Sequence, residues 1–532
     1  MAINLPGSPN GEADQVASPE WPQWLLEKHG GKVLSAGAVR APGTPEPRST
    51  AYRTAVLLFP KAVLDHPDVP GQIDSELGAL GLTMKDDNNE LPSAVLPDEL
   101  TVLGDALDRV PVPVVLRPSE QTDRVVAVDA WVALQQIRAG VHAQRISAID
   151  HIDLISIEHL LTGTRYGGVP TWQSHDTRAT APRVAYPMMP VAYGGPRPVR
   201  DPAFPKDRRR VVIAVPDTGV NQHPWLGAHP NQVLAADSFL RTFAASEKAI
   251  KAQNTKLHGL VPTEVIEDSW EAPMYVNALA EELGRATGHF TFIAGLIHQH
   301  APEADVLAIR VLHTDNIGYE ADLLLALWLI VARVIEARND PTKRDETVDI
   351  VSLSLGAYLE HDSGKVSHIR EVLTELAAHG VLVVAAAGND CTTRAFFPAA
   401  FAAELDVDGP GPKVVGVGAL NPDGTEAWFS NAGPNVTVNA TGANVVSTFP
   451  ITAQGARGSG MTTTDGKQTP DPDKFAGGFA VASGTSYAVP EVTAALAGLL
   501  TAPAEGSEGI DDIRAEAMRA RAVQAIRKLR GR

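Results

Sequence analysis

Val211-Val-Ile-Ala-Val-Pro-Asp217-Thr-Gly219 is an apolar run that leads straight into a carboxylate and a glycine. A strand apolar at every position is buried on both faces, as strands are in a parallel sheet covered by helices. Four more short, largely apolar runs follow at Val306–Val311, Ile350–Leu355, Val381–Ala386 and Val414–Val417, and helical stretches separate them. This alternation predicts an α/β domain whose central, mostly parallel sheet is flanked by helices. Functional groups in such sheets gather beyond the carboxyl ends of the strands, so Asp217 stands where chemistry is expected.

Three other stretches carry groups that complement a carboxylate. Gly288-His289-Phe-Thr-Phe-Ile-Ala-Gly295 opens a helix with a histidine at its start, and Val381-Leu-Val-Val-Ala-Ala-Ala-Gly388-Asn389-Asp390 is a strand that ends in small residues and an amide. Ser483-Gly-Thr-Ser486-Tyr-Ala-Val-Pro490 places a serine at a glycine-led turn into an alanine- and leucine-rich helix. A serine hydroxyl barely ionises near neutral pH. As a nucleophile it needs a base, a group that orients the base, and donors for the oxyanion. Ser486, His289, Asp217 and Asn389 supply one of each.

Taken in order, Asp-Thr-Gly, Gly-His-x-Thr-x-x-Ala-Gly, Ala-Ala-Gly-Asn and Gly-Thr-Ser-x-Ala-x-Pro resemble the subtilisin-like serine peptidases (subtilases, peptidase family S8) of the bacterial multidomain type. The resemblance covers about residues 210 to 502. It implies a three-layer subtilisin-like fold, with Ser486 as nucleophile, His289 as general base and then acid, Asp217 as its orienter and Asn389 as oxyanion donor. It further implies that Ser354, Leu355 and Gly356 form the strand that pairs with substrate. Ala386, Ala387 and Gly388 would line the pocket for P1, the residue whose carbonyl is attacked, with room for a sizeable apolar side chain. Substrate would then lie extended as an added strand. The activity implied is that of a serine endopeptidase with a protein or peptide substrate and no cofactor. A catalytically silent pseudoprotease that binds peptides through the same cleft is the alternative.

Three features depart from the family pattern. Phe290 follows His289 where a glycine is usual, and it either narrows the cleft or packs beneath the helix; reshaped specificity is the preferred reading. A polar segment from Arg241 to Gly288 reads as an insertion that rims or covers the cleft. The helix after His289 runs through His298-Gln-His300 into Ala301-Pro-Glu-Ala-Asp305, which leaves no space for the loop that often holds structural calcium, so no metal is expected. His298 and His300 alone lack a carboxylate or cysteine cluster and read as surface residues rather than zinc ligands. Cys391 reads as a small packing residue.

Other chemistries fit less well. Asp217-Thr-Gly and Asp362-Ser-Gly364 suggest an aspartic protease pair, but the second copy follows Leu-Glu-His rather than a buried strand, and two carboxylates that share a proton need matched settings. Sedolisin-type peptidases use acidic residues where this chain has His289 and Asn389.

The rest of the 532 residues frames this domain. Residues 1–50 are rich in Pro, Gly, Ser and charge and read as poorly ordered. Residues 51–162 read as a small α/β or α+β domain: strands at Thr54–Phe59, Val112–Leu116 and Ile149–Ile157, and helices at Gln72–Leu80 and from Asp129 to Arg138. This domain is expected to dock on the catalytic body, as a propeptide does. Residues 163–208 read as a Pro/Gly-rich linker, with cleavage expected near its basic end, Arg197 to Arg210. The catalytic domain is placed at 209–503 and an amphipathic basic helix at 504–532. A net charge of −18 argues against a general nucleic-acid binder. One cysteine excludes an intrachain disulfide. No apolar window is long enough to span a bilayer and the N-terminus lacks signal-peptide character, so a cytoplasmic location is expected.

Overall fold

The computed structural model describes residues 21–120, 125–164, 188–227, 238–271, 275–277, 282–455, 464–467 and 474–531. Val212–Asp217 lies within a seven-stranded sheet. Its strand order is Val438–Thr441, Val414–Leu420, Leu382–Ala386, Ile350–Leu353, Val212–Asp217, Asp305–Arg310, Leu240–Thr242, and every pairing is parallel. Alternate residues of a strand face opposite sides. Val212, Ala214, Leu307 and Ile309 therefore join one core, and Ile213, Val215, Val306 and Ala308 the other. Helices Ala244–His258, Glu320–Asn339 and His368–Ala378 cover the first face; His289–His300, Thr485–Leu500 and Ala515–Arg530 cover the second. The five expected runs are strands, and the result is the three-layer α/β architecture they imply.

Ahead of this sheet, Ala51–Pro60, Pro111–Val115 and Ser156–Gly163 pair antiparallel. Helices Val69–Gly78 and Ala130–His142 pack with these strands around a core that includes Tyr52, Phe59, Ile73, Trp131 and Ile137. Asp129 caps the second helix by accepting from the Trp131 and Val132 amides. Among the described residues Pro111–Val115 pairs on one side only, with Ala51–Pro60, in keeping with its prolines, which have no amide hydrogen.

The Ser156–Gly163 strand leaves this small domain and enters the large one. There it lies between Ile317–Tyr319 and Leu355–Gly356, antiparallel to both. The Glu320–Asn339 helix is covered in the same way from two sides. Its Leu323, Trp328 and Val331 share one core with strand residues of the parallel sheet and with Leu58, Leu100, Leu103, Val110 and Leu161 of the N-terminal domain. No helix among the described residues is long and apolar enough to cross a membrane.

Several sequence expectations need correction. The segment 1–50 contains a helix, Gln23–Lys28, and a strand, Gly31–Val33. Leu25 and Leu26 bury against Leu160, Ile317 and Tyr319, a tertiary contact that local composition does not reveal. Of the expected linker 163–208, residues 165–187 lie outside the described residues, whereas Met189–Pro190 forms a strand against Phe479–Ala482. Its basic end is not an open cleavage site at Arg209. That side chain is buried, bonded to both carboxylate oxygens of Asp349 at 2.8 and 2.5 Å and to the Ile510 carbonyl at 2.6 Å. The tail helix, by contrast, docks on the body as its apolar spacing implies: Ala522, Ile526 and Leu529 complete the core that holds Leu496 and Leu500.

Candidate active site

Asp217 is the last residue of its strand and His289 the first of its helix. Both are fully buried, and His289 Nδ1 lies 2.7 Å from Asp217 Oδ1. The same oxygen accepts the Thr218 amide at 2.7 Å, and Thr218 Oγ1 accepts the Phe290 amide at 3.0 Å. The strand end and the helix start are thus tied twice, which fixes the imidazole against its carboxylate. Gly288 caps the helix at φ 71°, and a Cβ there would fall 2.5 Å from Pro450 Cδ. Only glycine fits both the left-handed backbone and that gap.

Glu271, which the sequence reading did not single out, supports the same corner. Its Oε2 accepts the Gly288 amide at 3.1 Å, its Oε1 is buried without a partner among the described residues, and its backbone carbonyl accepts from Asn221 Nδ2 at 2.6 Å. Burial pushes the Glu271 carboxyl up to about 8, against the opposing pull of Arg310 and the Gly288 amide.

Ser486 is the second residue of the Thr485–Leu500 helix and is fully buried. Asn389 is oriented from this helix: its Oδ1 accepts the Thr485 amide at 2.9 Å and the Thr485 hydroxyl at 2.8 Å. The amide nitrogen of Asn389 is left to point the other way, and it donates to the Thr164 carbonyl oxygen. The Ser486 backbone amide donates to that same oxygen at 3.3 Å. Two donors therefore converge on one carbonyl of the chain itself.

Thr164 directly follows the Ser156–Gly163 strand, so the described N-terminal domain ends in the cleft. Its amide donates to the Ser354 carbonyl at 2.9 Å, and Gly163 and Thr162 pair with Leu355 and Gly356. The expected role of Ser354, Leu355 and Gly356 as a strand-pairing wall thus has an occupant in place. The Ser486 hydroxyl lies 2.7 Å from Thr164 Oγ1 and 3.3 Å from the Ser354 carbonyl. His289 Nε2 has no hydrogen-bond partner among the described residues. The sequence alone gave no sign of Thr164, because its position depends on a pairing with Leu355 and Gly356 nearly 200 residues away.

Other expectations change. Phe290 is fully buried in the core with Val215, Ile293 and Val489, so it packs beneath the helix rather than narrowing the cleft. Part of the 241–288 segment is the Ala244–His258 helix, held on the sheet face through Asn254 Nδ2 on both oxygens of Asp322, each at 2.9 Å, while 272–274 and 278–281 lie outside the described residues. His298 is buried and stacks on Phe239 at 4.2 Å, and no metal-ligating cluster occurs among the described residues. Cys391 is exposed, not packed, and has a left-handed backbone with φ 52°.

A three-layer α/β domain with a buried Asp–His pair, a helix-borne serine and an amide aimed at a carbonyl defines a class of hydrolase folds. The family model of the Subtilase family matches residues 208–531, more than half of the chain, and the chain belongs to that family. It is similar to "Intracellular serine protease" of Paenibacillus polymyxa, 28% identical over 224 residues, which cover 40% of this chain and 52% of the relative. "Major intracellular serine protease" of Bacillus subtilis (strain 168) is 26% identical over 259 residues, 46% of this chain and 61% of the relative. "Subtilisin-like proteinase Mp1" of Magnaporthiopsis poae is 27% identical over 196 residues, 35% and 43% respectively. The chain thus spans about half to three fifths of the length of the first two relatives.

Proposed function

We propose that this chain is a serine endopeptidase that hydrolyses peptide bonds of protein or peptide substrates through an acyl-enzyme, and that its own N-terminal domain occupies the cleft. The observation that carries the reading is the Thr164 carbonyl held between the Ser486 amide and the Asn389 side chain. Those donors stand where an oxyanion would form, and a carbonyl already rests there at the end of an extended strand.

In the reaction, the Ser486 hydroxyl adds to the P1 carbonyl carbon and its proton passes to His289 Nε2. Asp217, bonded to Nδ1, holds the ring in the required tautomer and stabilises the imidazolium. The tetrahedral oxyanion takes hydrogen bonds from the Ser486 amide and Asn389. His289 then gives its proton to the leaving nitrogen, and the peptide C–N bond breaks to leave an ester on Ser486. Water attacks the ester with His289 again as base, which releases the acid and restores the serine. No cofactor enters this sequence.

The N-terminal domain, residues 21–164, acts in this reading as an inhibitory domain. A cut directly after Thr164, not in the basic segment near Arg209, is the cleavage the cleft favours. The fused core of Leu100, Leu103 and Trp328 would keep the two parts together after such a cut. An intracellular location belongs to the reading, supported by two relatives that are named as intracellular serine proteases.

The second reading, a peptide-binding pseudoprotease, is favoured by one observation: the Ser486 hydroxyl bonds Thr164 and Ser354 rather than His289. A fluorophosphonate separates the two. Covalent labelling of the full chain that is lost in Ser486→Ala supports the peptidase; absence of labelling together with absence of peptide cleavage supports the binding module.

A further inference from the structure

The pocket for the P1 side chain lies, on the reading above, between the Ser354–Gly356 wall and the Ala386–Gly388 wall. Glycines at 356 and 388 would ordinarily leave that space open. Here a phenyl ring fills it. A Cβ placed on Gly356 would meet the Phe397 carbonyl oxygen and fall 2.5 Å from Phe396 Cε1, and one on Gly388 would meet Asn431 Nδ2 and fall 3.3 Å from Phe396 Cγ. The ring therefore spans from one wall to the other, and it is 3% exposed.

The ring is also fixed in place. Phe396 packs edge-on against Tyr358, with centroids 5.0 Å apart. The Tyr358 hydroxyl donates to Asp390 Oδ2 at 2.6 Å and accepts from Asn431 Nδ2 at 2.9 Å. Asn431 Nδ2 also donates to the Ala387 carbonyl at 2.9 Å, which binds the plug to the second wall. A residue locked by packing and by three hydrogen bonds behind it does not swing aside cheaply. A cavity of about 210 Å³ borders Thr164 and extends from Trp21 and Thr50 to Tyr358, Asn389 and Phe396; the Phe396 ring is one of its walls, and its lining includes neither 354–356 nor 386–388.

We infer that Phe396 closes the base of the P1 pocket and restricts cleavage to bonds after small residues, up to the size of threonine or valine. This rests on the peptidase reading and replaces the expectation of a roomy apolar pocket. The residue whose carbonyl occupies the donor pair is itself small. Thr164 Oγ1 reaches the Ser354 carbonyl at 3.1 Å, so a P1 hydroxyl gains a hydrogen bond that a larger apolar group would have to displace. Steric mismatch of this kind discriminates by roughly 10–200-fold.

The test uses the full chain and the rate of fluorophosphonate labelling at Ser486. Thr164→Phe cannot seat in the plugged pocket, so the strand lifts and labelling is expected to rise by roughly tenfold or more. Thr164→Ser leaves it near wild type. Adding Phe396→Gly to Thr164→Phe makes room for the ring and returns labelling toward the wild-type rate. Should Phe396→Gly disturb folding, Phe396→Leu gives a partial return. In parallel, the opened Thr164→Phe chain is given a peptide mixture and its cuts are mapped by mass spectrometry. Cuts after Gly, Ala, Ser, Thr and Val are expected, and cuts after Phe and Leu only when Phe396 is also replaced. If labelling occurs but ignores the size at 164, or if the opened chain cuts readily after Phe with Phe396 intact, the pocket inference is wrong and the peptidase reading stands. If no variant labels and none cuts, the peptidase reading falls and the inference with it.

Discussion

His159 is the residue through which pH should loosen the strand that fills the cleft. It sits on Ser156–Gly163, buried, with Nδ1 2.6 Å from Glu320 Oε2 and Nε2 2.8 Å from Glu360 Oε2. Both carboxylates belong to the large domain, so the imidazolium clamps the two parts of the molecule together. Burial alone would pull the His159 pKa down, but the two carboxylates outweigh it and raise it from 6.5 to about 10. The Glu360 carboxyl is likewise opposed by burial, yet His159 holds it down at about 2. The signs follow. The histidine contribution is fully present below pH 6.5 and is lost as pH rises to about 10; the Glu360 contribution is present above about 4.5 and is lost as pH falls through about 2.

The slope on the alkaline side is fixed by linkage: one proton released on opening or closing is worth ~1.4 kcal/mol per pH unit. Between pH 8 and 10 the wild-type strand should thus lose about 2–3 kcal/mol of protection. His159→Gln removes the titrating group and leaves two buried carboxylates under-paired, a change that costs about 3–5 kcal/mol near neutral pH. The assay is hydrogen–deuterium exchange of peptides spanning residues 156–163, corrected for the intrinsic pH dependence of exchange. Wild type should lose protection steeply from pH 8 to 10, and the variant should be nearly flat there. Glu271 and Asp322, which burial raises to about 8 and about 7, titrate in both proteins and cancel in the comparison. Parallel slopes in the two proteins would refute the clamp.

Three other outcomes follow from the same geometry. Asn389→Leu removes one of two donors to the proposed oxyanion position, so kcat on a peptide substrate should fall by about 10²–10³ while Ser486 still accepts a fluorophosphonate. Arg209→Met strands the buried Asp349 carboxylate that it now holds on both oxygens; denaturant unfolding should report a loss of about 3–5 kcal/mol. Glu271→Gln keeps an acceptor for the Gly288 amide but no longer titrates. Because the wild-type carboxyl is raised to about 8, it makes stability fall as pH rises from about 4.5 through 8. The variant should therefore lose less in thermal midpoint between pH 6 and 9, and an equal loss would remove Glu271 as the cause.

The parallel sheet was legible because its information is local. Val211 to Val215 and the runs like it are apolar at every position, and that pattern arises for one physical reason, burial on both faces. Asp217, His289, Asn389 and Ser486 were legible as candidates because each sits at the end of such an element, in a glycine-marked setting. What escaped the reading depends on contacts between distant segments. Phe396 looks like any core aromatic until Gly356 and Gly388 are known to stand on either side of it. Glu271 lies in a stretch that reads as a polar insertion, and only the fold places it under Gly288. The threonine at 164 follows Leu160, Leu161, Thr162 and Gly163, a sequence typical of any strand end. Its meaning comes from the pairing of Gly163 with Leu355 and from two donors that belong to a different domain. The same long-range placement sets the chemistry of His159: alone it would titrate near 6.5, and two carboxylates from separate segments keep it charged far above neutrality. The sequence thus marks the candidate groups, whereas the residues that surround and restrain them are brought there by which distant strands meet.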